Sequence, residues 1–166
     1  MPNTQAIGVA FADQEIINGS LDAATLVNSN VRSGFSASVQ KATVATTGNN
    51  DAFVIVPVSG VVSAIWFSGV DALSASDTNF ITFSVTNLGT SGSGSAAVLA
   101  ATDVNTTKTT GGSALAANAR RVLTLNATAA NLVVSAGDRL RLRAAVTGTL
   151  ANTVTFPVYN VNFTVS

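Results

Sequence analysis

The 166-residue chain carries eight basic and eight acidic residues, and only 10% of its side chains are charged, against roughly 25% in a typical soluble domain. It has neither His nor Cys, which excludes Ser-His-Asp and Cys-His nucleophilic catalysis and every zinc, haem or iron–sulfur site built on imidazole or thiolate. Zero net charge argues against nucleic acid as the main partner, because neutralising phosphates needs a surplus of Lys and Arg.

Residues 1–34 are mixed in composition and have no clean period, with 12–17 or 23–27 as candidates for a short helical turn. They lack the positive n-region and long apolar h-region of a signal peptide. Two readings stay open for them: a terminus without a fixed role, or an extended arm that docks on a neighbouring subunit. On the second reading Ile7, Val9 and Phe11 are its candidate partner-binding residues.

Strand signals dominate from residue 35 onward, and 35–166 are read as one β-sandwich domain. In 35–46, Phe35, Ala37 and Val39 alternate with Ser36, Ser38 and Gln40, the period of a half-buried strand. After the turn cluster 47–51, residues 52–58 form a continuous apolar run suited to a strand covered on both sides. Residues 61–68 resume after Ser59-Gly60. The two runs are either a tight hairpin or one long strand bulged at Gly60. The whole stretch 52–67 is shorter than the ~18–20 residues of a membrane span and is interrupted by Pro57, Ser59, Gly60 and Ser63, so no membrane partner is expected. Residues 79–87 alternate Ile81, Phe83 and Val85 with Phe80, Thr82, Ser84 and Thr86.

Residues 89–118, rich in Gly, Ser, Thr and Ala, read as a long loop with one short strand at 96–100. Short strands follow at 122–126 and 132–135. Residues 139–145, RLRLRAA, alternate strictly, and 152–166 end the chain with a change of phase near Pro157. Short strands joined by Gly, Asn and Ser turns argue for an all-β, jelly-roll-like antiparallel sandwich, with a closed barrel as the competing architecture.

Candidate chemistry is sparse. Asp51, Asp71, Asp77, Asp103 and Asp138 all fall in expected turns, where Asp caps backbone amides, and a glycosidase pair is a poor fit to a chain with one Glu. Asp71 and Asp77 are a weak calcium alternative, with no calcium-loop motif behind them. The run from Gly89 to Gly94 lacks the Gly-Lys-Ser/Thr ending of a phosphate loop. No cofactor or metal is expected. Arg139, Arg141 and Arg143 project from one sheet face. That row is either an ordinary solvent face or a basic patch for acidic residues of a partner protein. Trp66 is expected in the core, with a sugar-stacking platform shared with Tyr159 as the alternative. The sequons at Asn18, Asn105, Asn126 and Asn162 follow from the 17 Ser, 21 Thr and 15 Asn of the chain.

Two stretches, 52–69 (AFVIVPVSGVVSAIWFSG) and 131–144 (NLVVSAGDRLRLRA), together with abundant Ala, Thr and Ser, resemble the small β-sandwich head decoration, or cement, proteins of tailed phages. The Ala-Gly-Asp turn also recurs in other jelly rolls, including trimeric tumour-necrosis-factor-like domains. The resemblance implies a non-enzymatic homotrimer on the capsid exterior, bound to the major capsid protein, with an extended N-terminal segment and no catalytic residues. The alternative is a phage tail-fibre or receptor-binding module that grips a surface glycan with the 89–118 loop.

Overall fold

The computed structural model describes residues 34–41, 43–44 and 47–165. In chain order their strands are β1 (Gly34–Gln40), β2 (Thr43–Val44), β3 (Gly48–Ile55), β4 (Gly60–Ser68), β5 (Phe80–Asn87), β6 (Ala96–Ala97), β7 (Arg121–Leu123), β8 (Val133–Val134), β9 (Arg139–Thr147), β10 (Val154–Thr155) and β11 (Val158–Val165). The remaining regular structure is two short 3-10 turns, Asp103–Asn105 and Ala129–Leu132.

The strands form two antiparallel sheets and a small β2–β10 pair. One sheet runs β1-β11-β4-β7 with β8 also on β4, and the other runs β3-β9-β5-β6. Setting aside β2, β8 and β10 and counting the other eight strands along the chain, the orders are 1-8-3-6 and 2-7-4-5. That is the strand order of a jelly roll, the double-sheet solution to exposed strand edges.

Period-two patterning sets which side of each strand is buried. In β5, Ile81, Phe83 and Val85 face inward, and in β9, Leu140, Leu142, Ala144 and Val146 do the same. The core lies between the sheets. Phe67 of β4 meets Phe83 of β5 across it with ring centroids 4.6 Å apart, and packs edge-on to Tyr159 of β11 at 5.0 Å.

Several expectations are corrected here. The runs 52–58 and 61–68 are neither a hairpin nor one bulged strand: β3 pairs with β9 and β4 with β11, so the chain crosses between sheets at 56–59. Pro57, which has no amide to give a ladder, sits in that crossing. Nor is β3 covered on both sides, since Phe53 and Ile55 are exposed.

Gly60 is needed for close packing: a Cβ there would lie 2.1 Å from the Thr164 carbonyl oxygen of β11. The irregularity lies instead at Ser63, where Asn162 pairs with Ala64 but Phe163 pairs with Val62. The extra residue shifts the phase of β4, so Ile65 and Phe67 point inward and Trp66 turns out of the core. Residues 89–118 are not a free loop. Val98, Leu99 and Leu115 are buried, and isolated bridges tie Leu99 to Leu125, Thr106 to Thr82 and Leu115 to Leu73. The phase change near Pro157 is a break between β10 and β11, with Phe156 in the left-handed region at φ 45°.

Candidate functional site

The outer face of the four-stranded sheet brings polar, cationic and exposed apolar groups together. Register places Asp51, Phe53 and Ile55 of β3 opposite Arg143, Arg141 and Arg139 of β9. On the other flank, Ser84 and Thr86 of β5 stand opposite Arg143 and Arg141. All of these side chains share one face because β-strand side chains alternate.

The three arginines are not equivalent. Arg143 makes a bidentate pair with Asp51, Nε and Nη2 donating to the two carboxylate oxygens at 2.6 and 2.7 Å. That hydrogen-bonded guanidinium holds the Asp51 carboxyl below its ordinary value and raises the Arg143 pKa in turn. Its charge is met within the chain by Asp51.

Arg141 reaches Thr86 Oγ1 only at 3.5 Å, and its Nε is buried with no hydrogen-bond acceptor. Arg139 lays its guanidinium over the Phe53 ring, 5.2 Å from the centroid. Among the described residues, neither Arg139 nor Arg141 has a carboxylate partner; the ion pairs are Arg143–Asp51 and Lys108–Asp103. The result is a mixed apolar and cationic surface. The other candidate partner-binding residues, Ile7, Val9 and Phe11, lie outside the described residues.

Beside this surface runs a groove of about 460 Å³ between β5 and the 97–106 segment. Thr82, Ser84 and Thr86 line one wall, and Leu99, Thr102 and Asp103 contribute to the rest. The segment is anchored from below. Asn105, 1% exposed, donates through Nδ2 to the carbonyls of Ala100 and Thr124 and accepts the Thr124 amide, each at 2.8 Å. Thr107 exchanges backbone bonds with β5, its hydroxyl accepting the Ile81 amide at 2.8 Å while its own amide donates to the Ile81 carbonyl. Arg121 donates to the carbonyls of Ser113, Val104 and Thr106, and its burial lowers its pKa.

No protein-family model, curated protein or solved structure matches the chain.

The carboxylates are held apart as loop anchors. Asp71 accepts the amide and hydroxyl of Thr155, and Asp77 accepts those of Thr110; these bonds lower both pKa values. Among the described residues, no group of three or more carboxylates gathers at one point, as the calcium reading would favour. Asp138 is buried and accepts Asn87 Nδ2 at 2.8 Å and the Ser135 amide at 2.9 Å, closing the Ala-Gly-Asp turn.

The aromatic platform is also overturned. Tyr159 is in the core, its hydroxyl without a partner, while Trp66 faces outward under the Arg120 guanidinium at 4.7 Å.

Proposed function

We propose that this chain is a non-enzymatic virion structural protein that decorates and stabilises the outer surface of a phage capsid as a homotrimer. Its partners are further copies of itself and the major capsid protein, and its place is the capsid exterior. The observation that carries the reading is the outer face of the β3-β9-β5-β6 sheet, where exposed Phe53 and Ile55 adjoin Arg139 and Arg141 on a sandwich anchored by its own carboxylates. Apolar area flanked by guanidiniums that lack carboxylate partners suits protein contact, in which aromatics and Arg dominate binding. A cement protein needs no reactive group. It stabilises the assembled shell by binding it, through mass action. The resemblance of 52–69 and 131–144 to decoration proteins adds the phage context.

Native mass spectrometry of the full chain tests the first half, with a mass near three times 16.7 kDa expected. Co-sedimentation with capsids tests the second. A trimer that stays in the supernatant at every capsid concentration would rule out decoration.

The groove along Thr82, Ser84 and Thr86 favours a second reading, a receptor-binding module for a surface glycan. Its volume lies within the ~300–1,000 Å³ of small-ligand sites, and its hydroxyls suit a polyol. A glycan array separates the two, since a cement protein gives no specific sugar signal.

A further inference from the structure

We propose that the open edge of β3 is a docking site for residues 7–15 of a second copy of this chain, added as an extra strand with its carboxylates toward Arg139. The inference rests on the self-assembly proposed above and names a surface and a segment that would carry it. Among the described residues, strand β3 pairs with β9 on one side only. Val56 donates to the Asp138 carbonyl on the β9 side at 2.8 Å. The alternation of antiparallel ladders then turns the backbone groups of Asp51, Phe53 and Ile55 outward. Lys41 confirms the direction, its Nζ donating to the Asp51 carbonyl at 3.2 Å. It also covers that end of the edge. Further along, the edge is open and apolar, with Phe53 46% and Ile55 59% exposed. Natural edge strands are usually guarded by charge, proline or a bulge, so an unguarded apolar edge marks an association site.

Sequence and charge identify the occupant. Residues 7–15 read IGVAFADQE, which places Ile7, Val9, Phe11, Asp13 and Glu15 at alternate positions, three apolar and then two acidic. Written as a strand, these five share one face. Residues 1–33 hold three acidic residues against one basic, whereas 34–166 hold seven basic against five acidic. Arg139 leans across the sheet over Phe53, toward the open side, whereas Arg141 reaches the other way, toward Thr86 of β5. Arg143 is already paired with Asp51, while Arg139, without a carboxylate partner among the described residues, stands opposite Ile55, so Asp13 and Glu15 belong at the Ile55 end, which runs the segment parallel to β3. Main-chain bonds then supply affinity and alternate side chains supply selectivity, as in other strand additions.

The test is sedimentation velocity of the full chain over a concentration series, without capsids. Wild type should self-associate. Phe53→Lys with Ile55→Lys, and separately Asp13→Lys with Glu15→Lys, should each weaken association roughly tenfold or more. Adding Arg139→Glu to the second pair should restore part of it. These side chains are exposed or outside the sandwich core, and thermal melts confirm that each variant folds. Association equal to wild type in both lysine pairs overturns the proposal, as does a wild-type monomer at every concentration. Unchanged association in the lysine pairs overturns this docking alone and leaves the homotrimer standing, whereas a wild-type monomer overturns both; capsid binding, which plays no part in this measurement, tests decoration separately.

Discussion

Replacing Asn105 by Ala is the sharpest probe of how the groove wall is built. Its amide serves two carbonyls and one amide N–H in a site that is 1% exposed. The Thr124 carbonyl keeps a second donor, the Ala100 amide at 3.0 Å. The Ala100 carbonyl and the Thr124 amide lose the Asn105 bonds that satisfy them. Each orphaned group costs roughly 1–3 kcal/mol when buried. Both sit in a partly buried setting, so a total near the low end, about 2–3 kcal/mol, is expected. For a chain of this size ~1 kcal/mol shifts Tm by roughly 2–4 °C, giving a fall of about 4–12 °C. Thermal melting by circular dichroism, repeated in urea to obtain the free energy, measures it. Asn105→Asp keeps the acceptor for Thr124 but turns a carboxylate toward two carbonyl oxygens, and should lose at least as much. A loss below ~0.5 kcal/mol in the Ala variant would show that the 97–106 segment is held by other contacts, and the reasoning would be wrong.

Three further outcomes are expected. Tyr159→Phe removes a buried hydroxyl that has no partner and should raise stability by about 1 kcal/mol. Burial holds the phenol's pKa above its ordinary 10.0, so the unfolded chain loses this proton first and stability falls as pH rises past 10. The Phe variant should lack that component, and identical alkaline melting curves for the two proteins would contradict it. Gly60→Ala drives a methyl against the Thr164 carbonyl and should cost roughly 2–3 kcal/mol; a neutral result in chemical denaturation would mean that β4 and β11 separate freely. Asp51, Asp71 and Asp77 have folded pKa values below their ordinary 3.8. Their contribution is full above that value and is lost as pH falls through the depressed folded values. Melting temperature should therefore drop below about pH 4, and less steeply in Asp51→Asn; an unchanged acid slope in that variant would exclude the Arg143 pair as a source.

Much of the fold was legible because its strands keep strict alternation. Residues 79–87 and 139–145 name their buried and exposed sides directly, and the arginine row follows from the second. What escaped the sequence came from contacts made at a distance. Trp66 faces outward because a single inserted residue, Ser63, shifts the phase of β4, and nothing local to 61–68 announces it. Phe53 and Ile55 lie in an apolar run that reads as doubly covered, and only sheet order shows that β3 lies at an edge. Composition made 89–118 look like a loop, since tertiary bridges rather than local propensity hold it. Asn105 read as an incidental sequon, whereas its burial makes it a structural clamp. At the candidate site, the alternation that exposes Arg143 could not reveal that Asp51, 92 residues away, already neutralises it.

Strand β11 lies between β1 and β4, and its register joins Gly34 to Thr164 and Val61 to the same residue. The five-stranded sheet therefore has no centre until the last of its members has been synthesised. Until then β1 and β4 present facing edges with nothing between them. Such non-local pairing gives a high contact order, and folding on the millisecond-to-second scale of all-β domains. Closure of this sheet has to wait for residues 158–165, and in the interval the unpaired edges are the part of the molecule that a chaperone has to shield.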